Sequence, residues 1–412
     1  MQVTSPFVLK SIFALKGNFA AGIAPLAKEF SGVEITAFKN DARAAVCISG
    51  DLELAWAWRG RGEEIMTSRA ITERNNLPLI LELLEQTNIP VTWATVGHLF
   101  LSGCERSVSG LAHVDIPRPR RNDRWQGDWY MHDPCCNAVD APSWYAPDLI
   151  RQIMASKVRH EIGTHTFSHI NFSPSTSTSD LVRYELKACI DAMEPFALVP
   201  KSLVFPHNVV SYADERVLTD LGVIAVRHRD ERVRLSYPER TPHGLYKLYE
   251  SMNLRRAAHY DYAEKADIFI KEAASRRAAF CIWFHPSDPI ELFRNQFLSI
   301  LERIRYQRSI GTVWVATMQD VAAYCEAREC LKLKVIEQDT AMTILLESSL
   351  DVSRYGTPEV TLRVPVRRRP DSASVDLGGS QVKRIPFNYS PRSEHVLVNV
   401  PVMARAIRFS LN

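Results

Sequence analysis

The chain has 412 residues, of which 46% are hydrophobic and 24% are charged, an ordinary composition for a globular protein. A chain of this length is expected to hold more than one domain and to bury enough surface to be stable without disulfide bonds. The composition excludes a collagen-like repeat, a disordered chain and a membrane bundle, and a net charge of +3 is too small to predict nucleic-acid binding.

The sequence carries no clear targeting signal. No stretch reaches the roughly 18 apolar residues that a membrane span needs, so we expect no membrane span. The N-terminal apolar run, residues 11–15, ends at Lys16 and is too short for a secretory signal. The eight cysteines contain no CxxC framework for zinc, which favours a reduced chain. We therefore predict a cytoplasmic protein.

Three regions follow one another along the chain. Residues 1–42 are expected to form a helical extension. Residues 43–326 alternate short apolar runs with helical patterns, which predicts parallel strands in an open α/β sheet or a barrel. The predicted strands are residues 44–49, 89–96, 160–163, 202–205, 223–226, 279–284 and 312–316. Residues 102–147 lack any periodicity, and so long a stretch is usually functional or mobile.

The pattern changes in residues 327–412. Apolar residues alternate with polar ones in 331–335, 360–364 and 396–400, and no helical stretch appears. This alternation predicts an antiparallel β domain with the size of a small sandwich. Its sequence does not choose between glycan binding, dimerisation and cover for a barrel edge.

A histidine pair is the strongest chemical signal. His165 and His169 are four residues apart, a spacing that puts both imidazoles on one face of a helical turn, where they can bind one metal ion. The pair follows a predicted strand, where parallel α/β folds place their sites. The spacing is also compatible with two hydrogen-bonded or exposed histidines that bind no metal.

Two carboxylates follow the first predicted strand. Asp51 and Glu53 are two residues apart, so on a strand both side chains point to the same side. Beneath a cation, one carboxylate can serve as a ligand and the other as a base, and the cation keeps both ionised. The alternative is a polar turn after a strand.

A third strand end carries His285, directly after the apolar run 279–284. A histidine at this place can act as a general acid, although a lone histidine beside aromatic residues is more often part of the core. Three strand ends with ionisable residues are a stronger signal than one, because in a parallel barrel these ends converge.

Together these residues resemble the motifs of the polysaccharide deacetylase family, the NodB-homology fold of carbohydrate esterase family 4. The family's H-[ST]-x-x-H motif is matched by residues 165–169. Its acidic first motif resembles the run around Asp51, and its last motif resembles the run that ends at His285. The resemblance covers about residues 42–325 and implies a distorted (β/α)7-type barrel, here followed by a C-terminal antiparallel β domain.

The resemblance implies a role for each matched residue. Asp51 matches the catalytic base and His285 the general acid. Glu53, His165 and His169 take the places of the metal ligands, with Asp51 as an alternative ligand. The implied cofactor is a divalent metal ion, Zn²⁺ before Co²⁺, Ni²⁺ or Fe²⁺.

The family's third motif, R-x-P-[YF], is matched only in part. Pro206 is present, but the arginine that orients the base is lost, and Arg227 or Arg229 is a candidate replacement. His207, Asn208 and Trp144 are the candidate contacts to a sugar substrate.

The implied function is a metal-dependent hydrolase that removes an N-acetyl or related acyl group from a sugar or glycan precursor. Its natural setting is the biosynthesis of a surface polysaccharide or glycoconjugate. Two alternatives stay open: a non-catalytic carbohydrate-binding protein, which the lost arginine favours, and an amide or ureide hydrolase that uses little metal. The sequence does not decide whether the chain forms a homo-oligomer.

Overall fold

The computed structural model describes residues 19–211, 214–255, 261–379 and 381–411. The N-terminal apolar run and the first 18 residues of the predicted helical extension lie outside these ranges. The strands are, in chain order, β1 Glu29–Phe30, β2 Val33–Ile35, β3 Ala44–Leu52, β4 Thr92–Thr95, β5 Glu161–Thr164, β6 Ser202–Val204, β7 Ala225–His228, β8 Glu239–Arg240, β9 Tyr246–Leu254, β10 Ala279–Phe284, β11 Val313–Val315, β12 Leu331–Gln338, β13 Ala341–Ser348, β14 Glu359–Pro365, β15 Ser372–Asp376, β16 Val382–Arg384, β17 Phe387–Ser390, β18 His395–Pro401 and β19 Ala406–Ser410.

The helices surround or link these strands. They are α1 Ala55–Trp58, α2 Glu63–Thr87, α3 Pro147–Met154, α4 Ser179–Met193, α5 Glu215–Asp220, α6 Tyr262–Arg276, α7 Leu298–Ser309, α8 Met318–Cys330 and α9 Val352–Tyr355.

A closed barrel of seven parallel strands forms the centre of the molecule. Its strand order is β3-β4-β5-β6-β7-β9-β10, and pairing of β10 with β3 closes the ring. Strand β11 adds to the start of β3, and β8 adds antiparallel to β9. Every residue of β3 is buried, as expected where helices cover the outside of a barrel and side chains fill its inside. The predicted α/β barrel is confirmed.

The barrel departs from regular structure over residues 101–146, which contain no helix and no strand longer than a single bridge between Gly103 and Asn137. Its tryptophan and tyrosine side chains, among them Trp129 and Tyr130, are buried against the barrel core. The absence of periodicity in the sequence correctly predicted this segment.

The C-terminal part forms two five-stranded antiparallel sheets, in the orders β1-β2-β14-β18-β17 and β12-β13-β19-β15-β16. Alternate residues such as Val360, Leu362, Ile344 and Phe409 are fully buried in one core that the two sheets share. Helix α8 joins this sandwich to the barrel, because Glu326 accepts hydrogen bonds from the barrel residue Tyr246 while the opposite face of the helix packs on the sandwich.

The prediction of a helical extension is wrong for residues 19–42. This stretch contains β1, β2 and a short 3-10 turn, and β2 pairs with β14 of the sandwich. Val33 and Ile35 are fully buried while Glu34 between them is half-buried, a period of two that suits a strand. The strands are too short for this pattern to stand out, and their partner lies more than 300 residues further along the chain.

None of the helices in the described ranges combines the length and the apolar composition that a membrane crossing requires.

A buried carboxylate at the start of β5 gives the fold a pH dependence. Glu161 accepts hydrogen bonds from Ser202, Thr92 and the backbone N–H of Gln319. Burial nevertheless raises its pKa to about 7. The folded chain therefore holds this proton more tightly than the unfolded chain does, and the free energy of unfolding falls as pH rises from about 4.5 to 7.

We expect Glu161→Gln to remove this dependence, since the amide oxygen can accept from Thr92 and the Gln319 N–H while the amide NH2 donates to the Ser202 hydroxyl, and the group does not ionise. A pKa difference of about 2.5 units is worth about 3 kcal/mol. The stability of the variant relative to the wild type should thus rise by about that amount between pH 4.5 and pH 8. Denaturant unfolding at several pH values measures it, and a difference that does not change with pH would contradict the assignment.

Candidate active site

The side chains of several strand ends converge at the carboxyl-terminal end of the barrel. They surround an open cavity of about 700 Å³. The predicted residues that line it are Asp51, Glu53, His165, His169, His207, Asn208 and His285. A parallel barrel produces this arrangement because the ends of its strands meet on one face.

The histidine pair lies in an irregular loop directly after β5. The expected helical turn is absent, because Thr166 and His169 both have positive φ angles, 61° and 56°. The loop still brings the two imidazole rings together, with centroids 4.9 Å apart. The Nε2 atoms of His165 and His169 each lie 3.0 Å from the same oxygen, Oε1 of Glu53.

Buried charges hold this loop in place. Glu185, on α4, accepts hydrogen bonds from the backbone N–H and the hydroxyl of Ser168, at 2.9 and 2.6 Å. Arg59 donates to the carbonyl of the same serine at 2.5 Å and stacks on Trp56 and Trp129. The loop between the two histidines is therefore fixed from both sides by side chains that the sequence analysis did not single out.

Glu53 is positioned in a similar way. The chain turns sharply after β3, where Leu54 has a φ of 46°. The buried carboxylate of Glu73, on α2, accepts hydrogen bonds from the backbone N–H groups of Glu53 and Leu54, at 2.7 and 3.2 Å. Glu73 thus fixes the backbone from which the Glu53 side chain reaches the two histidines.

The donor atoms around Glu53 suit a divalent metal ion. The carbonyl of Val204 can only accept, so the 2.8 Å contact to His165 places a proton on Nδ1 of that ring. In a neutral imidazole Nε2 then carries a lone pair, which faces the Glu53 oxygen. The His165 nitrogen and the Glu53 oxygen are thus two electron-pair donors 3.0 Å apart, and a cation bound to both would stabilise them. A backbone carbonyl that accepts from the other ring nitrogen of a ligand histidine is a usual feature of zinc sites.

His169 supplies the third donor atom. Burial lowers the pKa of His169 to about 4, so its ring is neutral near pH 7 and can act as a ligand. Two imidazole nitrogens and one carboxylate oxygen are a set that catalytic zinc sites use, with a further position left for water or substrate. The predicted metal ligands therefore fit the ion chemically and lie together.

Asp51 has a different partner. Arg227, on β7, donates two hydrogen bonds to the two oxygens of Asp51, both at 2.7 Å, and a third to Ser49. Burial alone would raise the pKa of Asp51, but the charge and hydrogen bonds of Arg227 outweigh it, and the pKa lies below its ordinary value. Of the two candidate replacements for the third-motif arginine, Arg227 contacts Asp51, whereas the half-exposed Arg229 pairs with Glu250.

His285 completes the centre of the cavity. Its Nε2 lies 3.9 Å from Oδ2 of Asp51 and 3.9 Å from Oε2 of Glu53. The ring packs against Trp283 at the end of β10. His285 is thus close to both carboxylates without a hydrogen bond to either, and it keeps part of its surface open to the cavity.

The geometry can be compared with known proteins. Neither the protein-family models nor the curated protein sequences give a match, whereas 33 solved chains do. One is a protein of Mycobacterium smegmatis described as a polysaccharide deacetylase, 16% identical, with a TM-score of 0.50 over 75% of this chain and 96% of that one. The chain has the polysaccharide deacetylase fold.

Two further structures align more loosely. A polysaccharide deacetylase of Pseudomonas aeruginosa PAO1 is 13% identical, with a TM-score of 0.46 over 68% of this chain and 90% of that one. The PuuE allantoinase is 15% identical, with a TM-score of 0.43 over 69% of this chain and 91% of that one. The fold assignment rests on the Mycobacterium smegmatis structure.

The three candidate sugar contacts have different surroundings. His207 lies in the cavity against His169, with ring centroids 4.6 Å apart, and contacts Arg124. Asn208 also lines the cavity, but its backbone N–H donates to the Phe205 carbonyl and is not offered to a substrate.

Trp144 is placed elsewhere. It is 6% exposed, packs edge-on against Trp56 in the core and is not among the residues that line the cavity. The aromatic side chains that do line it are Trp58 and Trp283, together with Phe205.

The cavity of this deacetylase fold has a basic outer wall. Around the acidic centre, the lining includes Arg61, Arg124, Arg229, Arg232, Arg255 and Lys265, which outnumber the further carboxylates Asp230, Glu231 and Glu250. This wall could not be recognised in the sequence, because its members come from five separate segments and the net charge of the chain is only +3.

Proposed function

We propose that the protein is a metal-dependent hydrolase that removes an N-acetyl or related acyl group from a sugar-containing substrate. The observation that carries this proposal is that two neighbouring carboxylates have different partners. Glu53 faces two histidine nitrogens at 3.0 Å, and Asp51 is held by Arg227. This difference in partners supports metal binding by Glu53 and proton transfer by Asp51.

Each residue has a definite task in this reaction. Glu53, His165 and His169 would hold the ion, which when bound supplies a Lewis acid for the amide carbonyl and lowers the pKa of water. Asp51, kept ionised and oriented by Arg227, accepts the proton of the attacking water.

His285 would give a proton to the departing amine. Its position 3.9 Å from Asp51 favours this role, because the attacking water beside Asp51 and the amine departing beside His285 are bonded to the same carbonyl carbon. Breakdown of the tetrahedral species gives the free amine and the carboxylic acid, and both groups are restored when Asp51 releases its proton to solvent and His285 takes one up.

Arg227 also weakens the reading of the chain as a non-catalytic binding protein. That alternative drew on the loss of the third-motif arginine, and a buried guanidinium from β7 now makes the same kind of contact with Asp51.

The basic wall supports a substrate that carries an anionic group. Arg61, Arg124, Arg232 and Arg255 line the cavity and come from four separate segments. Guanidinium groups bind phosphate and carboxylate oxygens with two parallel hydrogen bonds. This favours a nucleotide-linked or lipid-linked sugar precursor over a neutral polysaccharide, in a cytoplasmic biosynthetic pathway for a surface glycan.

The test measures bound metal and acetate release on the same samples. We expect the wild type to release acetate and His165→Ala/His169→Ala to lose both activity and about one metal ion per chain, since two of the three ligands are gone. His395→Ala, in the C-terminal sandwich, is the matched control and should match the wild type.

The substrate panel contains a neutral N-acetyl sugar, a neutral N-acetylated oligosaccharide and a nucleotide-linked N-acetyl sugar. The nucleotide-linked compound should have the highest kcat/KM. A wild type that holds metal at this site and binds these compounds without releasing acetate from any of them would instead support the binding protein.

A further inference from the structure

Four side chains with metal-binding chemistry meet outside the catalytic cavity. His98 lies in the turn after β4, and Cys104, His113 and Asp133 belong to segment 101–146. The Nε2 atoms of the two histidines lie 3.0 and 2.9 Å from Oδ2 of Asp133. The sulfur of Cys104 lies 3.5 Å from the same oxygen. All four ligand atoms lie within 4.8 Å of one another, and none of the residues lines the cavity.

The surrounding hydrogen bonds turn the ligand atoms towards one point. The Trp144 carbonyl accepts from Nδ1 of His98 at 3.3 Å, which leaves the lone pair of Nε2 facing the carboxylate. The other oxygen of Asp133, Oδ1, accepts from the Tyr145 hydroxyl and the Cys135 backbone N–H, at 3.1 and 3.0 Å. His165 has the same surroundings: a backbone carbonyl accepts from its Nδ1, and a carboxylate oxygen lies near its Nε2.

The donor set is that of a closed site. A thiolate, two imidazole nitrogens and one carboxylate oxygen make four ligands, the number that structural zinc takes, and no position is left for a water molecule. His98 and Asp133 are 0% and 1% exposed, so a substrate cannot reach an ion at this point. The chemistry favours a structural ion over a second catalytic one.

The positions of the four ligands in the fold indicate which parts of the chain such an ion would link. The ligands are spread over residues 98–133, so one ion would cross-link the first two thirds of a segment that has no regular structure. The rings of His98 and His113 pack on Phe167, at 5.5 and 5.2 Å between centroids. Phe167 lies between the two catalytic histidines in the sequence, and Arg124 of the same segment lines the cavity.

We infer that His98, Cys104, His113 and Asp133 bind a structural zinc ion that holds segment 101–146 against the back of the histidine loop. Both histidines bind as neutral rings through Nε2, the carboxylate binds through Oδ2, and the Cys104 thiol releases its proton to solvent as the sulfur binds. The inference does not depend on the proposed deacetylase activity, because it concerns a separate set of ligands.

The test uses the sulfur ligand, Cys104, which is present in the proposed structural site and absent from the catalytic ligands. The full-length chain is freed of metal and reconstituted with Co²⁺, and a thiolate ligand then gives a sulfur-to-cobalt charge-transfer band in the near ultraviolet. We expect two cobalt ions per wild-type chain and this band. His165→Ala/His169→Ala should keep one ion and the whole band, whereas Cys104→Ser should lose the band.

Cys135→Ser is the matched control, because Cys135 lies in the same segment beside Cys104 and its sulfur is not among the four ligand atoms. It should keep the band. A wild type without the band, or a band that survives Cys104→Ser, overturns the inference and leaves Asp133 as a hydrogen-bonded partner of two histidines.

If Cys104→Ser does not fold, the His165→Ala/His169→Ala variant decides alone: one cobalt ion with the band supports the site, and no band rejects it. Limited trypsin digestion adds a second measurement. Removal of the remaining ion from this variant should speed cleavage after Arg120 and Arg121, and equal rates with and without metal would count against a structural role.

Discussion

Asp51→Asn is expected to keep its bound metal and to lose about 10²–10⁴-fold in kcat, the usual contribution of a general base. The change removes the ability to accept a proton but preserves the shape of the side chain. Glu53, His165 and His169 form a group of three possible ligands without Asp51, and both oxygens of Asp51 face Arg227. Metal analysis and steady-state kinetics on one preparation measure both quantities.

A buried carboxylate that is distant from the reaction provides the control. Glu161→Gln makes the same chemical change at the other end of the barrel, where the carboxylate contacts Ser202 and Thr92. Its kcat should equal that of the wild type. If Asp51→Asn lost its metal, Asp51 would be a ligand, and the division of labour between the two carboxylates would be wrong.

The sequence was a good guide to the barrel because its strands are buried on both faces. Runs such as residues 44–49 and 279–284 are continuously apolar, and the stretches between them have helical periodicity. Their alternation permits few arrangements other than a parallel sheet covered by helices. Strand β2 could not be recognised in the same way, since three residues carry too little pattern and its pairing with β14 is non-local.

The candidate site was predictable where chemistry coincides with a strand end. Asp51, His165 and His285 all follow apolar runs, so their convergence in the cavity followed from the barrel alone. The choice between Arg227 and Arg229 did not, because the sequence does not show where β7 ends. Arg227 lies within β7 and is buried, whereas Arg229 lies just beyond the end of the strand and is exposed.

The residues that position the site were missed because they are charges on helices. Glu185 lies on the buried face of α4, three or four residues from Leu181, Val182 and Cys189. That spacing was visible in the sequence, and a carboxylate on an apolar helix face is a signal that a buried partner exists. The partner itself, Ser168 in the histidine loop, is set by the tertiary fold.

Arg227→Ala is expected to lower both stability and rate. It leaves the Asp51 carboxylate buried without its partner, and loss of one member of a buried ion pair costs about 3–5 kcal/mol of folding free energy. The rate falls as well, because the carboxylate is no longer held in one orientation. The metal content should not change, since Arg227 makes no contact with the three ligands among its hydrogen bonds.

Two further variants separate orientation from charge. Arg227→Lys keeps the charge but cannot form two parallel hydrogen bonds, so its kcat should lie between those of the wild type and Arg227→Ala. Arg229→Ala, two residues along, removes a side chain that is 58% exposed, and a surface ion pair of this kind contributes at most about 1 kcal/mol. Denaturant unfolding and kcat should therefore respond strongly at position 227 and weakly at 229, because only the buried guanidinium holds the base. Equal responses at both positions would mean that Asp51 is oriented by something other than Arg227.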